Sequence, residues 1–335
     1  MARNVTIKDI AREAGVSIAL VSFVMNNRVE ANGKNKYRVS EDTKRRILEV
    51  AERMNYRPSS AARMLRQGRT HVIGVILSDL SNIFYGCIAK YMENIMYQNG
   101  YTVLFSSTEE DPERFGRLVQ HSLARDVEGF IVVPPEGGET YVKQLQESGK
   151  PFVVIDRYHP DLDVPSVLVD NVGAIRTAID TLRKQGTRNI AMASYSMRIS
   201  SMMDRERGFR EEMGEDAPIY HLGFNSVEQD AEKVADDIIR RKIDGLIPVS
   251  NVPGVALIKA LMRRGVRIQK DIRLVGFDFS NVYGLFDPAI PYIQQPLKEV
   301  SAKSAAYLFR LIEMQEKGED IRPITDKIYL KASLI

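Results

Sequence analysis

The sequence predicts a two-part molecule. An N-terminal all-α helix-turn-helix head with a hinge helix precedes an α/β core of two doubly wound parallel-sheet lobes. Three observations carry that expectation. The segment VTIKDIAREAGVSIALVSFVMNN, residues 5–27, holds two short amphipathic patterns broken by Gly15. The first 70 residues carry 15 Lys and Arg against 7 Asp and Glu, a net of +8, while the remainder has 32 against 37, a net of −5. From residue 71 onward short apolar runs alternate with helical patterns, the mark of parallel strands covered by helices on both faces. A chain of 335 residues also exceeds what one core usually serves.

In the head, Thr6-Ile7-Lys8-Asp9 reads as a helix start, with Thr6 as N-cap and Asp9 three residues on. Ile7, Ile10, Ala11 and Ala14 follow at helical spacing, and Gly15 supplies the left-handed residue that ends the helix. Val16 fills the corner and Ser17 caps a second helix over 18–25, from which Val21 and Val24 face the first. Ser40 caps a third helix with an expected inner face of Ile47, Leu48, Ala51 and Met54. Helix, glycine turn and helix on a basic block form the pattern of a DNA-reading unit. An arbitrary three-helix core would leave the charge asymmetry unexplained. In residues 57–68, RPSSAARMLRQG, Pro58 can open a further helix. A helix of about ten residues is marginal alone in water, so this one is expected to fold only against a partner.

The core begins with the apolar runs VIGVIL (72–77), TVLFSS (102–107), GFIVVP (129–134) and PFVVID (151–156). After SVLVD (166–170) a second set follows: NIAMAS (189–194), IYHLGF (219–224), GLIPVS (245–250) and RLVGFD (273–278). Two sets of four suggest two similar lobes, with crossings near 156–170, near 278–297 and close to the C-terminus. The expected boundaries are 1–57 for the head, 58–70 for the hinge and 71–335 for the core. Within the core the first lobe takes about 71–165 and 297–323, and the second about 166–294 and 324–335. Ligands of such sheets sit beyond the carboxyl ends of the strands. There the sequence places Asp79, Asp156, Asp170, Asn171, Asn251 and Asp278. Carboxylates, amides and aromatics around a cleft suit a polyhydroxylated ligand, although any one of these residues could equally be a helix N-cap.

Other classes find little support. The single cysteine, Cys87, permits no intrachain disulfide, suits a reducing compartment, and is expected in the core. No apolar run approaches 18 residues and the N-terminus lacks a secretory pattern, so a cytoplasmic protein without membrane association is expected. His71, His121, His159 and His221 are scattered without ligand spacing, and no P-loop, H-E-x-x-H or G-x-S-x-G is present. No enzyme, metal site or cofactor is therefore expected. Asp204, one residue before Arg205, is expected to position that arginine through an ion pair.

VTIKDIAREAGVSIALVSFVMN, followed by VSEDTKRRILEVAERMNYRPSSAARMLRQGRTHVIGVI, resembles the head of the lactose/galactose repressor family of bacterial transcription regulators. The likeness extends over nearly the whole chain, through a hinge to a periplasmic-binding-protein-like core. It implies that helix 17–25 lies in the major groove with Ile18, Ala19 and Phe23 at reading positions. Ser17 and Ser22 would touch phosphates, and Thr6, Asn26 and Ser59 complete the DNA-contacting set. Many relatives have Arg or His where Phe23 stands and Thr where Leu20 stands. Apolar reading positions pack on the thymine methyl and forgo the Arg–guanine bond worth ~1–3 kcal/mol. In the hinge the resemblance makes Leu65 a minor-groove wedge, with Ala62 allowing close approach of two hinges and Arg66 reaching phosphate. Residues 28–38, RVEANGKNKYR, are longer than the family's usual connector. Their basic side chains suit extra phosphate contacts or a plain surface insertion.

In the core, DRERGF (204–209) resembles the family's Arg-x-x-Gly-Phe and makes Arg205 an effector anchor, with Ser201 one turn earlier. VGFD makes Asp278 its partner. Asn251 matches an amide contact, although the Asp that usually follows it is Val252 here. Asp79, Phe84 and Tyr85 match a cleft-lining loop, Asp156 and Gln295 match crossing positions, and Phe224 is nearest to a family aromatic after the sixth strand. The purine-responsive branch has an Arg where Ile199 stands, which favours a sugar or sugar phosphate over a nucleobase or nucleoside. The implied function is a homodimeric repressor of carbohydrate-utilisation genes that binds double-stranded operator DNA under effector control. The absence of a leucine-heptad tail before Ile335 favours a dimer over a tetramer. A solute-binding receptor, the rival class, would have a signal peptide and no basic head.

Overall fold

The computed structural model describes residues 5–25, 39–56 and 69–335, and the chain divides into two compact units, Met1–Thr70 and His71–Ile335. Asn26, the 28–38 insertion and the hinge residues Ser59, Ala62, Leu65 and Arg66 lie outside the described residues.

The first unit packs α1 (Ile7–Ala14), α2 (Ile18–Met25) and α3 (Glu41–Arg53) around Ile10, Ala14, Val21, Val24, Ile47 and Val50. The Asp9 carboxylate accepts the Thr6 backbone N–H at 3.0 Å and the Thr6 hydroxyl at 2.7 Å, tying down the first turn. Gly15 has φ 64°, and the Val16 N–H bonds to the Ala11 carbonyl at 3.0 Å, closing α1. Ser17 and Ser40 accept from the backbone N–H groups of Leu20 and Thr43, each at 3.2 Å, so both predicted caps form. One inner-face residue differs from expectation: Leu48 is exposed, and Val50 takes its place beside Ile47 and Ala51. Successive residues of a helix point about 100° apart, so Ile47 and Leu48 cannot share a narrow buried stripe.

In the second unit, the first lobe is built on a six-stranded parallel sheet. Its strands are β1 (Val72–Leu77), β2 (Thr102–Ser107), β3 (Gly129–Val132), β4 (Phe152–Ile155), β5 (Ser166–Val169) and β12 (Lys327–Leu330). Their spatial order is β12-β5-β4-β3-β1-β2. Helices α4 (Ile83–Gln98), α5 (Pro112–Leu123), α6 (Glu139–Glu147) and α11 (Leu297–Glu316) complete this lobe. The second lobe has β6 (Ile190–Tyr195), β7 (Ile219–Leu222), β8 (Gly245–Pro248) and β9 (Arg273–Leu274) in the order β7-β6-β8-β9. Its helices are α7 (Asn171–Lys184), α8 (Ser200–Met213), α9 (Val227–Arg240) and α10 (Asn251–Arg263). A three-stranded sheet joins β10 (Gly276–Phe277) in parallel to β11 (Tyr292–Gln294), which pairs antiparallel with β13 (Ser333–Leu334).

Two boundaries differ from the sequence reading. Residues 166–169 and 327–330, expected in the second lobe, pair with each other on the edge of the first sheet, and β5 also pairs with β4. The chain thus crosses after β5, after β11 and after β12. A short run of buried apolar residues specifies a strand but not which sheet it joins.

Candidate functional site

The parallel strands of both lobes direct their carboxyl ends at one cleft, where a ligand of this architecture sits. Its walls include Asp79, Phe84, Tyr85, Asp156, Ser201, Arg205, Phe224, Asp278 and Gln295, all singled out from the sequence. The cleft encloses only about 50 Å³ because the lobes touch. The Tyr158 N–H of the first lobe donates to Ser200 Oγ of the second at 2.7 Å, and Asn251 Nδ2 approaches Asn82 Oδ1 at 3.5 Å.

Asp156 and Asp278 end β4 and β10 with φ of 68° and 61°. Few L-residues tolerate this left-handed region, and Asp is one of them. The turn aims both carboxylates into the cleft rather than along the sheet. Backbone strain of this kind persists where surrounding packing over-determines it, as at ligand sites.

Arg205 is buried on α8. Its Nε donates to Asn171 Oδ1 at 2.8 Å, its Nη1 donates to the Val249 carbonyl at 2.6 Å, and its guanidinium carbon lies 3.9 Å from the centre of the Phe277 ring. These contacts fix the fork and leave one Nη1 and both Nη2 hydrogens as donors. Gly208, one turn further on, makes the arrangement possible. A Cβ there would lie 3.0 Å from the Val172 backbone, so the glycine lets α8 press against α7 and brings Arg205 to Asn171. Opposite, Asp278 Oδ1 accepts from Gln295 Nε2 at 2.9 Å. Burial pushes the Asp278 carboxyl up to about 6, against the pull of Arg205 and the Gln295 bond.

On the first-lobe floor Tyr85 donates to Asp156 Oδ2 at 2.9 Å. Arg157 donates from Nη2 to the Tyr85 oxygen at 2.7 Å. It also forks onto Glu110, Nη1 to Oε2 at 2.8 Å and Nη2 to Oε1 at 3.0 Å. Burial opposes the Arg157 charge, but Tyr85, Glu110 and Asp156 outweigh it and hold the guanidinium protonated. Ser78 donates to Glu110 as well. Ser201 Oγ is buried in the cleft without a hydrogen-bond partner among the described residues. An unsatisfied buried hydroxyl costs stability, which a ligand oxygen placed there would recover.

Other sequence expectations fall elsewhere. Asn251 does not wall the cleft; its amide donates at 3.4 Å to the Phe279 carbonyl and reaches toward Asn82. Asp170 is the α7 N-cap, accepting from the Gly173 N–H at 2.9 Å. Asn171 serves the site indirectly, by orienting Arg205. Asp204 pairs with Arg207 at 2.9 Å rather than with Arg205, because residues one apart on a helix do not face each other. Cys87 is half-buried, not a core residue. Among the residues that sequence reading missed are Ser78, Asn82, Glu110, Arg157, Tyr195 and Ser250. Ser78, Arg157 and Tyr195 each stand one position beyond an apolar run, where the strand-end rule could have found them.

In the head, Ser17, Ile18 and Ala19 are exposed at the start of α2. Ser22 and Phe23 are half-buried, and Phe23 packs against the head's own core beside Leu20. Thr6 is exposed, with its hydroxyl engaged by Asp9. Among the described residues no cluster of His, Cys, Asp and Glu could hold a metal ion, and no helix is long and apolar enough to cross a membrane.

A glycine-turned helix pair on a basic module, joined in one chain to a two-lobed ligand-binding core, defines the class of DNA-binding transcription regulators controlled by a small molecule. Residues 6–59 match the model of bacterial regulatory proteins of the lacI family, and residues 73–283 match the periplasmic binding protein domain. The ribose operon repressor of Halalkalibacterium halodurans is 30% identical over 92% of this chain and 90% of its own length. The catabolite control protein A of Priestia megaterium is 26% identical over 98% and 99%. A crystal structure of the Lac repressor bound to ONPG superposes with a TM-score of 0.83 at 20% identity, covering 99% of this chain and 98% of that one. The chain belongs to the lacI family of bacterial regulatory proteins. It is a transcription regulator and not an enzyme.

Proposed function

We propose that this chain is a cytoplasmic, homodimeric repressor that binds double-stranded operator DNA and releases or engages it in response to a small hydroxylated sugar held between the core lobes. The single observation that carries the effector reading is the cleft itself. A fixed Arg205 fork, the Asp156 and Asp278 carboxylates and the idle Ser201 hydroxyl converge on one small space. Each sugar hydroxyl both donates and accepts, so it satisfies such a mixed ring, while Phe84, Phe224 and Tyr195 offer faces to its C–H surface. The ribose operon repressor at 30% identity favours a pentose as the first ligand to try.

DNA contact is assigned to Thr6, Ser17, Ile18, Ala19, Ser22, Phe23 and Asn26, with Ser59, Ala62, Leu65 and Arg66 in the hinge. Exposure of Ile18 at the start of α2 supports a methyl-reading surface. A second concavity, of about 610 Å³, adjoins the cleft: Phe84, Asp278 and Gln295 line both, and Ile83, Cys87, Tyr91, Phe279, Leu297 and Ala302 help to wall the rest. The homodimer reading is supported by the exposed apolar side chains Ile83, Val252 and Phe279, which suit cover by a second copy.

The test has two arms on the full chain. Sites selected from random DNA should contain an inverted repeat and bind at nanomolar concentrations at physiological salt. A thermal-shift screen of pentoses, hexoses and nucleosides should show stabilisation by one sugar, and that sugar should change operator affinity. Stabilisation by nucleosides alone would overturn the sugar reading, and absence of any selected site would overturn the regulator's operator.

A further inference from the structure

We propose that Glu110 sets the charge specificity of the cleft, making it accept an uncharged sugar and reject the phosphate ester of that sugar. This rests on the sugar reading above.

The cleft holds two guanidinium groups among its described walls, Arg157 and Arg205, against four carboxylates: Asp79, Glu110, Asp156 and Asp278. A phosphate would need a guanidinium with donors to spare. Arg157 keeps a single N–H, on Nη1, outside its bonds to Glu110, Tyr85 and Asp156. Glu110 takes its fork in two parallel bonds at 2.8 and 3.0 Å, Asp156 Oδ2 lies 3.4 Å from its Nε, and Tyr85 accepts at 2.7 Å. Arg205 spends one hydrogen each of Nε and Nη1 on Asn171 and Val249, with its guanidinium carbon over the Phe277 ring. Its other three N–H groups share the cleft with the Asp278 carboxylate.

The chain has gone out of its way to put Glu110 there. Glu109 and Glu110 are consecutive non-glycine residues with φ of 53° and 58°, in the loop between β2 and α5. Two successive left-handed residues are a strained turn for L side chains. The turn delivers the Glu110 carboxylate onto Arg157, with the Ser78 hydroxyl donating to it from the end of β1. Packing alone would be met at lower cost by an apolar residue, since a buried ion pair contributes little net stability. What the pair does achieve is a polar floor, with Ser78 and Tyr85 held in place by their bonds to Glu110 and Asp156, that presents no net positive charge. A dianionic ester entering would face four carboxylates against two guanidinium groups in a small enclosed site.

The test uses the full-length protein and matched ligands: D-ribose with D-ribose 5-phosphate, D-xylose with D-xylose 5-phosphate, and D-glucose with D-glucose 6-phosphate. Thermal shift and isothermal titration are read for each. At least one free sugar should bind, with its ester weaker by more than about tenfold, 1.4 kcal/mol. Glu110→Gln keeps the shape and the Ser78 contact but frees the Arg157 charge, and it should gain the ester while retaining the free sugar. An ester that binds the unaltered protein as well as its sugar overturns the proposal and leaves the sugar reading standing. If no ligand of either set binds, the sugar reading fails and takes this inference with it. If the ester is rejected by both the unaltered protein and a folded Glu110→Gln, the selectivity belongs to the other carboxylates and not to Glu110. Should Glu110→Gln not fold, Glu110→Ala tests the same role: it should gain the ester, and exclusion of the ester by a folded Glu110→Ala overturns the proposal.

Discussion

At the scale of single residues, Arg205 and Asp278 do different work in the same cleft. Arg205 is held by two hydrogen bonds and an aromatic face, a cation–π contact worth about 2 kcal/mol when desolvated. Arg205→Ala should cost on the order of 2 kcal/mol of stability and abolish the ligand-induced shift in Tm. Arg207→Ala, two residues on and facing solvent, should stay within about 0.5 kcal/mol and keep the shift. Asp278 is a buried carboxyl whose pKa is pushed up to about 6 in the folded chain from an ordinary 3.8. The folded state therefore binds its proton more tightly than the unfolded state does. The resulting stabilisation is complete below about pH 4 and is lost as pH rises through 6. Asp278→Asn removes this dependence, so it should gain on the unaltered protein between pH 4 and 7, by an amount of order 3 kcal/mol. Urea denaturation of both proteins at several pH values checks this. A difference independent of pH would show that Asp278 is not the buried acid described here.

At the scale of elements, the turn between α1 and α2 and the exposed start of α2 each make a prediction. Gly15 has φ 64° and nothing within 4 Å of where a Cβ would stand, so Gly15→Ala meets no clash. Its cost is conformational alone, about 1–2 kcal/mol. That should lower the head's melting temperature and weaken operator binding without touching effector affinity. For α2, replacing contacted thymines by uracil in selected sites should cost about 0.8 kcal/mol per methyl removed. Ile18→Ala should blunt that sensitivity, as fluorescence anisotropy can show. Elements were also what the sequence made most legible. Thr6, Gly15, Ser17 and Ser40 announce the head because caps and turns act over three or four residues, a range that sequence spacing records. The ends of apolar runs announced Asp156 and Asp278 for the same reason. The lobe to which β5 and β12 belong was not legible, since their pairing joins Ser166 to Lys327, far apart in the chain. Glu110 was hidden more completely. It reaches the cleft through two left-handed residues that no local pattern requires, and its partner Arg157 lies 47 residues away.

At the scale of the whole molecule, an effector can act only through its different affinity for two arrangements of the lobes. The lobes touch through direct contacts. The Tyr158 N–H donates to Ser200 Oγ, the Arg198 N–H donates to Glu136 Oε2 at 3.2 Å, and Asn251 approaches Asn82. Ser200 is the most useful of these, being buried, at the first position of α8, and adjacent to the candidate ligand residue Ser201. Ser200→Ala removes the acceptor and leaves a backbone N–H unpaired when the lobes close, a penalty of about 1–3 kcal/mol on closure alone. A ligand that needs the closed cleft must then work against that penalty, so its affinity should fall by roughly five- to a hundredfold. The same substitution disfavours the arrangement that the effector favours. Linkage then requires Ser200→Ala to move operator affinity, in the absence of effector, opposite to the effector's own action. If effector weakens operator binding, Ser200→Ala should tighten it; if effector strengthens it, the variant should loosen it. Anisotropy titrations of both proteins with and without the sugar measure all four affinities. A variant that lost effector affinity while its effector-free operator affinity moved in the effector's direction would show that lobe closure is not the coordinate linking cleft to DNA.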